Sequence, residues 1–240
     1  MRILYTTTVV AGAALSMSVA IAQEAPAEQT SHGMVAIGIG AIPEYDGSDE
    51  IRALPFALAD VQLGGLNLQL RGQGLRIDLA SSQRFSAGPV LGARMPREDV
   101  DGPIGRLPEL DLAVEAGAFV GYRFGGDQFG QGSWHTELSV VQDVSDVHDG
   151  LLATASVSYA LIRQRDIFLS LETQATWADQ DYTRTYFGVE ETDAIASGFN
   201  AYRPDAGLRD LGMGVTAGYW FSPRLGVIGR VGTTYLLGDA

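Results

Sequence analysis

The feature that most constrains this chain is a period of two. From residue 33 onward, apolar residues alternate with Gly, Ser, Thr or charged residues, and a helical period is almost absent. The clearest run places Leu112, Val114, Ala116, Ala118, Val120, Tyr122 and Phe124 on one face. The other face is Ala113, Glu115, Gly117, Phe119, Gly121 and Arg123. Similar runs recur to the end, among them Trp134, Thr136, Leu138 and Val140 against His135, Glu137 and Ser139. Alternation alone fits a soluble β-sandwich as well as a barrel in lipid. Three features favour the barrel. The runs often exceed the ~5–6 residues usual for soluble strands and match the ~9–11 of a tilted membrane strand. Aromatic residues gather at run ends: Tyr122, Phe124, Trp134, Trp177, Tyr219, Trp220, Phe221 and Tyr235. Short and long connections also alternate.

Eleven strands are expected, at 33–41, 53–63, 66–72, 75–81, 84–95, 110–124, 132–145, 150–163, 166–179, 207–221 and 224–237. If the first runs outward, the long loops 42–52, 96–109 and 180–206 fall outside and the short turns inside, as in bacterial barrels. The inner segment 125–131 is the long exception. The expected fold is therefore all-β, an antiparallel transmembrane β-barrel. Since such barrels close with even strand numbers, about 12 strands are expected, about 11 of them here, with a last returning strand beyond residue 240. The alternative is that 72–74 is a bulge in one bent strand rather than a hairpin loop.

The start of the chain reads as an export signal. Met1-Arg2 precedes a run of apolar and small residues that ends in Ala20-Ile21-Ala22, an A-x-A cleavage pattern. This divides the chain into a signal peptide at 1–22, a disordered periplasmic leader at 23–32 and a barrel at 33–240. An exported chain with no Cys uses no disulfides, which a closed barrel does not need. The net charge of −13, with every basic residue an Arg, argues against nucleic acid or anionic lipid as the main partner.

Alternation also sorts the charges. Arg71, Arg76, Asp78, Glu115, Arg123, Glu137, Glu172, Asp210 and Arg230 should face the lumen, because a charge on the lipid face costs ~2–4 kcal/mol near the midplane. Pairing among them would fill the lumen; unpaired, they would line a narrow pore.

Other candidate sites are less specific. Gly47-Ser48 and Arg71-Gly72-Gln73-Gly74 suit a binding rim, but turns need the same residues. His135, Glu137 and Ser139 share a strand face, yet point in parallel instead of converging as a triad must, and no G-x-S-x-G elbow is present. No enzyme is expected. His32, His135 and His148 lack ligand spacing, so no metal site is argued and no cofactor is expected. Asp143, Asp146 and Asp149, with Glu44, Asp46, Asp49, Glu50, Glu98, Asp99 and Asp101, make the outer loops acidic. These read as solvated loops, with a weak divalent-cation role at the lipopolysaccharide surface as the alternative.

Several segments, in order, resemble the MipA/OmpV family of MltA-interacting outer-membrane proteins. They are Pro43-Glu44-Tyr45-Asp46-Gly47-Ser48, Arg71-Gly72-Gln73-Gly74 and Gly88-Pro89 followed by Arg94. Further along come Tyr186-Phe187-Gly188-Val189 leading to Ser197-Gly198, Tyr202 and Ala206-Gly207-Leu208, and finally Tyr235-Leu236-Leu237-Gly238-Asp239-Ala240. The resemblance implies an outer-membrane location and a non-enzymatic scaffold joining a lytic transglycosylase to a murein synthase, or else a surface protein. It also implies a further aromatic-ended strand after residue 240. A small-solute channel is the competing expectation, motivated by the Gly-rich polar face. Outer-membrane lipid and lipopolysaccharide are the remaining expected partners.

Overall fold

The computed structural model describes residues 5–18 and 32–237, apart from 49, 81 and 99. Twelve strands form a closed antiparallel barrel. The first is β1, Tyr5–Ser18, followed by β2 (His32–Pro43), β3 (Ile51–Leu63), β4 (Leu66–Arg71), β5 (Gly74–Asp78) and β6 (Phe85–Arg94). Then come β7 (Ala113–Gly125), β8 (Ser133–Asp143), β9 (Leu151–Arg163), β10 (Ile167–Ala178), β11 (Gly207–Trp220) and β12 (Leu225–Leu236). The eleven strands from β2 onward are those the alternation predicts. The 72–74 question resolves as a hairpin: Arg71 pairs with Gly74 across a two-residue loop, and Gly72 takes the positive φ of 60° that such a loop needs at its first position. No helix among the described residues is long and apolar enough to cross a membrane.

Closure of the ring follows from backbone chemistry. A strand in hydrocarbon can satisfy its N–H and C=O groups only against neighbouring strands, so no edge can remain open. The seam between β12 and β2 is filled by β1, with Val9 opposite Val231 on one side and Ala41 on the other. This is part of the segment that the sequence reads as an export signal. Residues 1–4, 19–22 and most of the 23–32 leader lie outside the described residues.

The two faces separate as the period of two requires. Leu91, Val120, Leu138, Val157, Leu171, Met213 and Val231 point outward with a third to two-thirds of their surface uncovered. In a membrane that surface meets lipid. Aromatics concentrate at the short-turn end. Tyr122 and Phe124 lie 6.2 Å apart, Trp134 and Tyr159 4.6 Å, and Tyr219 and Phe221 5.2 Å. This is an interfacial girdle. Trp220 departs from expectation. Its position, one residue from Tyr219, turns it to the lumen, where it lines the interior cavity.

The connections make the two ends different. At the short-turn end Gly64 and Gly65 both take positive φ, 55° and 95°, and form a tight hairpin. The 79–84 turn is tied by the Asp78 carboxylate, which accepts from the N–H groups of Ala80 (2.9 Å) and Ala87 (3.0 Å). At the long-loop end the 179–206 segment carries two helices that the alternation did not predict, α1 (Gln180–Phe187) and α2 (Glu191–Ser197). At eight and seven residues they are too short to show a period. By the rule for bacterial barrels, the long-loop end is the outer end and the short-turn end the inner one.

The face assignment gives a direct test. Leu138→Arg places a guanidinium on the outward face of β8 and should lower unfolding stability by ~2–4 kcal/mol. Ser158→Arg, facing the lumen cavity, should change it far less. Equal losses for the two variants in urea titrations from lipid vesicles would refute the assignment.

Candidate functional site

The lumen holds a packed sealing layer at its outer end beside an open cavity, and the layer is built on α1. Asp179 starts this helix by accepting from the N–H of Tyr182 at 3.0 Å. The spacing of four then brings Tyr182 and Tyr186 to one helix face, with rings stacked at 4.6 Å. Tyr182 is completely buried, in a cluster with Leu152, Ala178, Val141, Tyr186 and Phe187. Leu152, Ala178 and Val141 lie near the outer ends of β9, β10 and β8, so α1 packs inside the barrel mouth.

Five charged groups gather around this ring. The guanidinium of Arg94 lies 5.0 Å from the Tyr182 ring centre and that of Arg209 5.3 Å. Arg209 Nη1 donates to the Tyr182 hydroxyl at 2.6 Å, which donates in turn to Asp46 Oδ2 at 3.1 Å. Arg94 also reaches Asp46 (3.2 Å) and donates through Nε to Glu115 Oε1 (2.9 Å). Asp210, fully buried, accepts from Arg209. Two cations therefore meet three carboxylates around one phenol ring, and cation–π attraction adds to the ion pairing.

Electrostatics hold the layer in one ionisation state. For Asp46, crowding by protein opposes ionisation, but Arg209, Arg94 and the Tyr182 hydroxyl outweigh it and hold the carboxyl below the usual carboxylate range. Its side chain still keeps 38 % of its surface accessible, so water partly screens these pairs. Burial raises the Tyr182 hydroxyl above its ordinary value and pushes that of Tyr186 up to about 12. Both phenols are thus neutral at physiological pH, and that of Tyr182 donates to Asp46.

Neighbouring loops brace the seal. The Asp143 carboxylate accepts from the N–H groups of Ser145, Val147, His148 and Asp149 at 2.7–3.1 Å and from the Ser145 hydroxyl at 2.6 Å. It thereby ties the 144–150 loop, and it presents His148 toward Glu115, Nε2 to Oε1 3.4 Å. His148 Nδ1 accepts from the Gly150 N–H, which leaves the proton on Nε2. The 95–112 loop folds over α1 and α2: Arg97 donates to the Tyr186 carbonyl at 3.0 Å and Arg106 to that of Ala196 at 3.3 Å.

The sequence-predicted candidates distribute as follows. All nine charges expected inside are inside. Glu115 and Asp210 belong to the seal. Arg76 pairs with Glu137, and Arg230 with Glu172 at 2.7 Å. Arg71, Asp78 and Arg123 line the cavity. His135 lies 3.7 Å from Glu137, but Glu137 is already held by Arg76, and no hydrogen bond among the described residues joins Ser139 to either. The divalent-cation reading of the acidic loops finds no support. Asp143 spends its oxygens on backbone N–H groups, and among the described residues no group of three His, Cys, Asp or Glu is placed to hold a metal ion. Asp49 and Asp99 lie outside the described residues, as does the side chain of His32. Gly47-Ser48 reads as turn chemistry: Gly47 has φ 98°, and the Ser48 hydroxyl accepts from the Glu50 N–H. Sequence reading missed the parts of the seal. Asp179 as a cap and the Tyr182/Tyr186 spacing were the available signal for α1.

Below the seal, the barrel encloses a cavity of about 1380 Å³. Its lining runs from Gly40 and Ile42 down to Ser82, Arg84, Arg163 and Gln164 at the inner turns, and none of the sealing residues borders it. The cavity thus reaches the inner turns, and on the β2–β5 side its lining extends up to Ile42 and the Gly72-Gln73 hairpin loop.

Substitution at the seal has a defined consequence. Tyr182→Ala removes a fully buried ring, a loss of ~3–5 kcal/mol of local packing, and should unseat α1. Planar-bilayer recording should then show stepwise conductance that the parent protein lacks, with Tyr182→Phe closer to the parent. Silence of the Ala variant, inserted and folded, would mean that Tyr182 is not the seal.

Comparison with known proteins gives one extended match. The model of the MltA-interacting protein MipA family matches residues 35–240. No curated protein matches the chain. Among solved structures, the chain is similar to Pseudomonas aeruginosa OccK8 (OprE) at 10% identity, over 99% of this chain and 71% of that one, with a TM-score of 0.29. It is also similar to Pseudomonas aeruginosa OccK2 (OpdF) at 10% identity, over 98% of this chain and 97% of that one, with a TM-score of 0.21. Likenesses this distant carry no argument about what the lumen does.

Proposed function

Because the chain belongs to the MltA-interacting protein MipA family, we propose that it is a non-enzymatic outer-membrane scaffold that docks a lytic transglycosylase of the MltA kind at its inner, periplasmic rim. The observation that carries this reading is the asymmetry of the barrel. On the β6–β11 side the outer end is packed around Tyr182, while the cavity reaches the inner turns, where an ordered turn lies at 125–132. That turn is held by the Asp127 carboxylate, which accepts from the N–H groups of Phe129 and Gln131 at 2.9 and 3.0 Å. Its tip presents Phe129 with 65 % of its surface exposed. A rigid aromatic at a protruding tip is a suitable anchor for a protein partner.

A murein synthase is the second partner of this reading, bridged to the transglycosylase through the same rim. Lipid and the acyl chains of lipopolysaccharide cover the outward apolar band. The test is co-purification from detergent-solubilised membranes. Phe129→Ala should reduce recovery of the transglycosylase by about tenfold, as loss of a central aromatic anchor does, without altering barrel folding. Full retention would remove the inner rim as the docking site.

A small-solute channel is the second reading, favoured by the size of the cavity. The seal opposes it, since α1 and its ion pairs would have to leave the mouth for each passage. A surface role for the long outer loops is compatible with the scaffold.

Export by a cleaved signal at Ala22 belongs to the same proposal. Cleavage takes Tyr5–Ser18 out of the seam and leaves the backbone edges of β2 and β12 to be paired by another strand. N-terminal sequencing of the protein from outer membranes should begin at Gln23. A mature chain that still starts at Met1 would instead mean that β1 is a permanent stave.

A further inference from the structure

The cavity wall is divided by chemistry. Lumen-facing positions of a membrane barrel are ordinarily polar, and those of β9 to β11 mostly conform, with Ser158, Ser170, Gln174 and Thr216 among them and Phe168 and Trp220 as exceptions near the inner ends. Strand β3 does not. Leu54, Phe56 and Leu58 all line the cavity, together with Met34 of β2. In register they stand opposite small residues, Leu54 opposite Gly40, Phe56 opposite Gly38 and Leu58 opposite Ala36. Nothing large on β2 covers them, so an apolar strip stays open to the lumen.

The inner half of the cavity is cationic. Arg71, Arg84, Arg123 and Arg163 line it, and none has a carboxylate oxygen within 4.0 Å among the described residues, unlike Arg76 and Arg230. Arg84 and Arg123 are cross-strand neighbours, since the Arg123 N–H donates to the Arg84 carbonyl. Arg123 is also within electrostatic reach of Arg163, Arg71 and Asp60. The carboxylates of the wall are engaged elsewhere. Glu137 and Glu172 are in ion pairs, Asp78 caps the 79–84 turn, and Asp60 accepts from Asn67 Nδ2 at 2.7 Å. Like charges crowded with no carboxylate in direct contact are unfavourable, and the more notable in a chain of net charge −13. Arg71 joins the two regions, because it pairs in register with Leu58.

We propose that the lumen is a binding site for a single-chain anionic amphiphile that enters from the inner end. Its carboxylate or phosphate head sits among Arg84, Arg123 and Arg163, and its acyl chain lies along Leu54, Phe56 and Leu58 beneath the seal. Guanidinium groups suit both head groups, since each offers a planar pair of donors to two oxygens. A plain anion would use the arginines but not the apolar strip. A neutral lipid would use the strip but not the arginines. The site adjoins the proposed docking turn at 125–132, since the Arg163 N–H donates to Gln131 Oε1 at 3.2 Å, but the two readings have separate readouts: co-purification for the turn and Trp220 quenching for the lumen.

Trp220, which lines the cavity, is a built-in reporter. The chain has three Trp residues, and Trp134 and Trp177 are on the outward face, so a Trp134→Phe/Trp177→Phe protein reports only from the lumen. In nanodiscs of unlabelled phosphatidylcholine, a brominated fatty acid should quench Trp220 saturably. Arg84→Ala/Arg123→Ala/Arg163→Ala should weaken this binding by at least about tenfold. Phe56→Ser/Leu58→Ser should weaken it similarly while leaving quenching by iodide unchanged. Brominated lysophosphatidic acid, run in parallel, distinguishes a phosphate head from a carboxylate; saturable, arginine-dependent quenching by either supports the proposal. Quenching that never saturates, that ignores the arginines, or that iodide reproduces while both amphiphiles fail would overturn it. Retained heat-modifiable migration on gels establishes that each variant is folded.

Discussion

Hydrocarbon offers no hydrogen-bond partner, and this constraint governs the rest of the molecule. Every backbone N–H and C=O within the membrane must find another strand, so the sheet has to close on itself. Once it closes, each strand has one face in lipid and one in the lumen, and the period of two in the sequence becomes a partition between two solvents. The outward row of Leu, Val and Ile and the inward row of Gly, Ser, Thr and charges are consequences of that single requirement. Closure also brings strands distant in sequence into reach of one another across a narrow interior, which is why Arg76 of β5 can pair with Glu137 of β8.

The interior made in this way is used unevenly. At the outer end, charges from the 44–50 loop, β6, β7 and β11 gather on a single phenol ring delivered by α1. Burying ions is costly unless each is paired, and here Arg94 and Arg209 are shared among Asp46, Glu115 and Asp210. The helix and the ion pairs depend on each other: without Tyr182 the guanidiniums lose the face they stack on, and without Arg209 and Asp46 its hydroxyl loses both its partners. Toward the inner end the balance reverses, and arginines outnumber available carboxylates around an open cavity.

Much of this was legible in the residues. The strand ends lie close to where turn chemistry places them, and all nine charges assigned inward by alternation are inward, because parity on a strand leaves only two choices. The same rule, overlooked for a cluster of three aromatics, explains Trp220: between Tyr219 and Phe221 it has to face the other way. The helices of the outer loop were not legible by period, being two turns each. Asp179 and the spacing of Tyr182 and Tyr186 were signs of α1 that only a search for caps would find.

By itself the sequence determined the class of fold, the number of strands from residue 32 onward, and which side chains meet lipid, because these follow from local alternation and turn residues. It did not determine which inward charges meet. Asp46, Arg94, Glu115, Tyr182 and Arg209 are separated by tens of residues, and their convergence depends on register, strand tilt and the inward folding of one loop. The tertiary structure alone decided that α1 packs into the outer mouth, that Arg71, Arg84, Arg123 and Arg163 have no carboxylate oxygen within 4.0 Å among the described residues, and that Leu54, Phe56 and Leu58 line an open space. The physical reason is that pairing and exposure inside a closed barrel are properties of the ring as a whole, whereas alternation is a property of each strand.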